Sequence, residues 1–171
     1  FAEIAVELGA DTMKRYTEKA GLTASYSVDG LPTAKGSFNW ENITEGQLGW
    51  AGVGQYHDRV NPCALMVYMG AIANGGKLMQ PYLVEKVVDS DGNIISQTEP
   101  TVKRQVISKS TADSVKAMME SVVEKGTGKN AYIPGYRVCG KTATAEKLDD
   151  GSDEDIYIAS FLCFAPADDP E

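Results

Sequence analysis

Residues 135–146 read "GYRVCGKTATAE". Gly135, Gly140, Lys141 and Thr142 fit G-x-x-x-x-G-K-[ST], the spacing of a phosphate-cradling P-loop. That motif needs a strand before the first glycine, a loop between the glycines, and a helix opening at the Lys-Thr pair, whose free N–H groups meet the anion. The surroundings run the other way. Pro134 breaks the stretch before Gly135, the would-be loop carries the β-formers Tyr136 and Val138, and "TATAE" leads straight into the acidic run "KLDDGSDED" at 147–155. No room is left for a helix, and carboxylates beside a triphosphate repel it. The stretch is therefore expected to be a strand, begun by "YRVCG", with Lys141 on it.

A strand edge offers a row of backbone N–H and C=O groups to an extended ligand. Lys141 and Thr142 then point to opposite faces, and Thr144 points with Thr142. A bulge or twist that relaxes this alternation brings the ammonium and both hydroxyls to one groove. Such a cation with hydroxyls and amides suits a carboxylate, and it suits acyl transfer, which must hold a developing oxyanion.

Working outward, "IYIASFLCFA" (156–165) is strongly β-prone and is expected to close an antiparallel hairpin with the first strand around the acidic loop. Upstream, Ser110 and Asp113 give an S-x-x-D capping signal for a helix whose buried stripe is Val115, Met118, Met119, Val122 and Val123, ending at "KGTG" (125–128). "PYLVEKVVD", "SDGN" and "IISQ" (81–97) read as a hairpin, and "KRQVI" (103–107) as a further extended piece. Asn61-Pro62 starts a helix that stops at Gly75-Gly76. Residues 23–46 are loop-rich, and Thr44 opens a short helix. At the start, Phe1, Ile4, Ala5 and Leu8 form one apolar helix face ended by Gly9; Asp11 caps a second helix that Gly21 ends. Helices mixed with antiparallel hairpins make the fold class α+β, an antiparallel sheet with flanking helices.

The chain has 171 residues and a net charge of −8. One domain is expected, and the acidity excludes a nucleic-acid partner, which needs clustered Lys and Arg. Three cysteines, Cys63, Cys139 and Cys163, form no disulfide framework and no C-x-x-C zinc pair. Cys139 and Cys163 fall in the two paired runs, where a bridge is open but two buried thiols are the plainer expectation. The longest apolar run, Cys63–Ala73, is too short to cross a bilayer. The chain opens inside an apparent helix and closes on "FAPADDPE", and is expected to be cut from something longer.

Three other candidates are weaker. His57, the only histidine, sits in the polar "QYHDR" and reads as a loop residue rather than a triad base. Asp89, Asp91 and Asn93 alternate as in a calcium loop, but Gly92 is misplaced and Pro100 stands where a bidentate Glu is needed. "DDGSDED" reads as a solvated loop, so no metal is expected.

"GKTATAE" resembles the third signature of the transpeptidase domain of class B penicillin-binding proteins, K-T-G followed by Thr on the strand lining the active site. Other pieces resemble the same family in the same order. They are "FAEIAVELGADTMKRYTEKAGL" (1–22), the stretch from Gly49 to Val84 with its Gly-Gln, Pro-headed helix and Ala-Asn-Gly-Gly, "VVEKGTGKNA" (122–131), and "IYIASFLCFAP" (156–166). The likeness spans nearly the whole chain.

This resemblance implies an acyl-serine D,D-transpeptidase fold and activity. Such an enzyme takes a peptidoglycan stem peptide ending in D-Ala-D-Ala, releases the last D-Ala and passes the acyl group to an amine; β-lactams acylate the same serine. It implies no cofactor, and a location on the extracytoplasmic face of the bacterial membrane through an anchor upstream. By matching position, Lys141, Thr142 and Thr144 are the catalytic candidates. Lys141 sets the electrostatics toward the S-x-N serine, Thr142 and Thr144 border the substrate carboxylate, and the Thr144 N–H is one oxyanion donor. Ala143, Ala145 and Glu146 are the substrate-binding candidates.

In the family, S-x-x-K and S-x-N precede the stretch matched from Phe1 onward. The expectation is thus one incomplete transpeptidase domain over 1–171, lacking that portion and the C-terminal end, with no nucleophile and no turnover of its own. Ala143 stands where the family has Gly, so its methyl either crowds the substrate or faces away. Glu146 is either a solvated charge or a negative charge that weakens anionic β-lactams. The other class of function is a non-catalytic penicillin-recognising or wall-assembly module. Unpaired sheet edges would favour oligomers.

Overall fold

The helix headed by Asn61 and Pro62 organises the molecule. A computed structural model describes residues 1–146 and 156–169. Helix α4, Pro62–Ala73, is capped by the Asn61 carboxamide, which accepts from the N–H groups of Cys63 (2.7 Å) and Ala64 (3.4 Å). It is apolar on all sides, as a helix packed on two sides must be. One side joins Ala64, Val67 and Ala71 to Tyr26, Leu78 and Val106; the other joins Ile72 and Ala73 to Met119, Cys139 and Phe164. Gly75 and Gly76 follow with φ of 77° and 89°. At Gly76 a Cβ would collide with the Ile107 carbonyl, so only glycine turns the chain here.

Before α4 come α1 (Ala2–Leu8), α2 (Ala10–Ala20), the short strands β1 (Ser27–Val28) and β2 (Leu31–Pro32), and α3 (Glu45–Gly52). After it come β3 (Lys77–Met79), β4 (Lys86–Val88), β5 (Ile94–Gln97), β6 (Val102–Gln105), α5 (Lys109–Lys125), a 3-10 turn (Lys129–Ala131), β7 (Cys139–Glu146) and β8 (Tyr157–Phe164). Mixed α and β elements bear out the α+β reading. The strands pair as four antiparallel two-stranded ladders, β1-β2, β3-β6, β4-β5 and β7-β8.

Several local expectations hold. Thr44 opens α3 with a full capping box to Gln47. "SDGN" is a turn: the Asn93 side-chain amide donates to Asp89 Oδ2 (2.9 Å), Asp89 Oδ1 accepts from the N–H groups of Asn93 (2.8 Å) and Asp91 (2.9 Å), and those bonds hold its carboxyl below the usual range.

Others are corrected. Asp11 does not cap α2; Gly9 does, without a side-chain bond, because the chain enters directly from α1. Ser110 is inside α5, and the cap is Ser108, whose hydroxyl accepts from Thr111 N–H at 3.0 Å. Met118 is 61% exposed, since the buried line of α5 runs through Ala112, Met119 and Val123. The α1 face buries only Ala5, with Phe1 89% and Ile4 55% exposed. "YRVCG" starts no strand before Cys139. "KRQVI" is extended as expected through Gln105, in β6, and only its partner, β3, is not indicated by its sequence. The acidic loop at 147–155 lies outside the described residues.

Candidate functional site

Strand β7 is buried at one end and open at the other. Cys139 and Gly140 are buried; Lys141, Ala143, Thr144 and Glu146 are exposed, with Thr142 and Ala145 half-buried. The inner end is fixed by packing. A Cβ at Gly140 would lie 2.5 Å from Phe161 Cζ and 3.2 Å from Val123 Cγ2, so the missing side chain lets β8 and α5 close on the strand. The ladder with β8 runs in unbroken register from Cys139↔Phe164 to Glu146↔Tyr157. No bulge relaxes the alternation, so Thr142, Thr144 and Glu146 share one face and Lys141, Ala143 and Ala145 the other. The Lys141 ammonium nonetheless stays along the strand, donating to the Thr142 carbonyl at 2.6 Å.

Thr142 meets the end of α5. Its hydroxyl is 2.8 Å from that of Thr127, and both line a cleft of about 340 Å³ with Gly128, Asn130, Ala131 and Phe161. The sequence marks Thr127 only as part of the "KGTG" stop signal, not as a site residue. At the other end Glu146 shares a cleft of about 300 Å³ with Trp50, Gln55 and Tyr56. These residues follow the α3 capping box in sequence, and no spacing links them to residue 146. Ala143 is exposed and pairs with Ser160.

The nearby charges are structural. Arg137 grips Glu120 with two bonds (Nε–Oε1 2.6 Å, Nη2–Oε2 2.7 Å) and reaches Asp168. The Arg137 bonds hold the Glu120 carboxyl below its usual range. Cys139 is fully buried and burial pushes its thiol up, which removes it as a nucleophile. Cys163 pairs with Gly140, one register step away, and is exposed. The expectation of two buried thiols is thus wrong for Cys163, because adjacent register positions face opposite sides of the ladder. All three cysteines are free.

His57 lies against Tyr56, ring centroids 4.3 Å apart. Beside it Asp58 has a buried Oδ1 with no hydrogen-bond partner among the described residues, and burial pushes its carboxyl up to about 7. Ser37-Phe38-Asn39 has the letters S-x-N. Ser37 forms a backbone bridge with Arg59, Phe38 stacks on Trp40, and the Asn39 side chain accepts from Glu41 N–H. None of the three lines the clefts at Thr142 or Glu146. Among the described residues no group of His, Cys, Asp and Glu could hold a metal.

Comparison with known proteins places the fold and the family. The family model described as the penicillin binding protein transpeptidase domain matches residues 1–171. Stage V sporulation protein D of Bacillus subtilis is 35% identical over 99% of this chain and 27% of its own length. The peptidoglycan D,D-transpeptidase PbpA of Mycolicibacterium smegmatis is 30% identical over 100% of this chain and 34% of its own. Among solved structures, penicillin-binding protein A of M. tuberculosis in its ceftriaxone acyl-enzyme complex superposes with a TM-score of 0.84, at 29% identity, over 99% of this chain and 38% of that one. The D,D-transpeptidase domain of the Eggerthella lenta peptidoglycan glycosyltransferase gives 0.80 at 32% identity, over 99% and 43%. The chain spans roughly a quarter to a third of the length of these two curated relatives.

Proposed function

Because this chain belongs to the penicillin-binding protein transpeptidase family, we propose that it forms part of a peptidoglycan D,D-transpeptidase and supplies the signature strand of its active site. The supporting observation is the β7–β8 ladder. It presents Lys141, Thr142 and Thr144 on an open strand whose inner end is locked by Gly140, Phe161 and Val123. Rigid elements carry a site more exactly than loops do.

In the reaction, a serine hydroxyl attacks the carbonyl of the penultimate D-Ala and the terminal D-Ala leaves as the amine. An acceptor amine then attacks the acyl-serine and frees the hydroxyl. Lys141 supplies positive charge toward the serine and the peptide carboxylate. Thr142 and Thr144 border that carboxylate, and the Thr144 N–H meets the developing oxyanion. Thr127, bonded to Thr142, fixes the rotamer of one of these hydroxyls. β-Lactams enter by the same acylation. A location on the extracytoplasmic face of the membrane goes with that substrate. No described helix is long and apolar enough to cross a bilayer.

No serine in this chain has a lysine three residues on. The chain alone is therefore inactive in our reading, and the acyl-serine comes from an S-x-x-K segment joined to it. Fluorescent penicillin tests this. A protein joining the segment to S-x-x-K takes covalent label and the 171-residue chain takes none. Label on the chain itself overturns the missing-nucleophile reading, and no label on the joined protein favours a non-catalytic wall-assembly module. The open edges of the ladders also make self-association our expectation for the separate chain.

A further inference from the structure

The outer end of β7 opens on a cleft that none of these roles uses. Its lining is Trp50, Gln55 and Tyr56 from the end of α3 and the turn after it, and Glu146 from β7, around about 300 Å³. The turn is closed: the N–H groups of Gln55 (3.0 Å) and Val53 (3.2 Å) both reach the Trp50 carbonyl. Tyr56 has φ 72°, a left-handed conformation costly for an aromatic residue and kept where surrounding structure imposes it. His57 packs against its ring. Trp50 is 61% exposed, and Glu146 joins no ion pair among the described residues.

Two aromatic rings, an amide and a carboxylate around a small concavity make a receptor for an organic cation. The ring faces attract an ammonium, the carboxylate adds charge, and the amide oxygen takes an N–H. An anion there would meet Glu146. We propose that this cleft binds an alkylammonium group. Resting on the transpeptidase reading, that group is a primary amine carried by the peptide that lies along β7. Lys141 and Glu146 are five residues apart on one strand, about 16 Å at the rise of extended chain; their side chains leave opposite faces, and the Lys141 ammonium turns back along the strand to the Thr142 carbonyl. The strand thus has a cationic end for the peptide carboxylate and an anionic end for its amine. A zwitterionic extended segment of about five residues, or a shorter one with a long basic side chain, spans the two.

The test is an NMR titration of the 171-residue chain, following the Trp50 indole N–H and the Gln55 side-chain amide. The probes are n-butylammonium, n-butanol, and a lysine-bearing D-Ala-D-Ala peptide with its Nε-acetyl counterpart. Butylammonium should shift both reporters and butanol neither. E146Q, an exposed substitution whose remaining spectrum should overlay the unaltered chain, should weaken butylammonium binding by about three- to tenfold. The charged peptide should bind more tightly than its acetylated form by a similar factor. Equal affinity for butylammonium and butanol, or no effect of E146Q, overturns the cation cleft. Butylammonium binding with no peptide binding supports the cleft and counts against the transpeptidase reading. Equal binding of both peptides overturns the assignment of the amine.

Discussion

At Glu146 a single carboxylate ends an otherwise uncharged stretch of strand beyond Lys141. Its charge opposes an anionic ligand entering along β7, so Glu146→Gln in a joined protein carrying the serine should raise the second-order rate of penicillin acylation, by about three- to tenfold if one screened charge contact of about 1 kcal/mol is removed. Stopped-flow acylation reads it, and an unchanged or slower rate rejects it. Asp58 carries a pH-dependent cost in the folded state. Burial raises its folded carboxyl to about 7, above the ordinary value of 3.8, so the folded state prefers the proton. Stability from this group is therefore greatest below about pH 4 and falls as pH rises to about 7. Asp58 is partly open to water, which reduces the effect to about 1 kcal/mol at pH 8. Asp58→Asn should then raise Tm by about 2–4 °C at pH 8 and leave it nearly unchanged at pH 4, read by thermal unfolding at the two pH values.

Among the elements, α5 shows how a local signal can be right in kind and wrong in place. The S-x-x-D spacing favours Ser110 as the cap. Ser108 won because its hydroxyl bonds Thr111 N–H as the chain leaves β6, two residues earlier. Ser108→Ala should cost about 1 kcal/mol in urea unfolding. Ser110→Ala, inside the first turn, should cost less than half of that. Equal costs would return the cap to Ser110. The β7–β8 pairing was legible from two β-prone runs with an acidic run between them. The β3–β6 pairing was not, because the β4–β5 hairpin is inserted between its strands and nothing in either short strand encodes the partner.

Over the whole molecule, the apolar residues left outside carry the next consequence. Phe1 before α1, Ile4 and Leu8 on it, Trp50 on α3 and Val53 just after it are all exposed, and an apolar cleft of about 550 Å³ lies between the two helices. Exposed apolar area of this kind promotes association. The separate chain should show a concentration-dependent mass in sedimentation at micromolar loading, and Ile4→Glu with Val53→Glu should shift it toward monomer by roughly tenfold in the dissociation constant. A mass independent of concentration and of these substitutions rejects the expectation.

The sequence by itself determined the helices with strong caps, the "SDGN" turn, the β7–β8 hairpin and the Lys-Thr-x-Thr signature, because each is written in residues a few positions apart. Tertiary structure alone decided which face of α5 is buried, that Cys139 is buried and Cys163 exposed, and that Thr127 meets Thr142. It alone brought Trp50 and Tyr56 to Glu146. Those contacts join residues 15 to 96 positions apart or depend on a register step, and periodicity along one segment carries no information about which other segment packs against it.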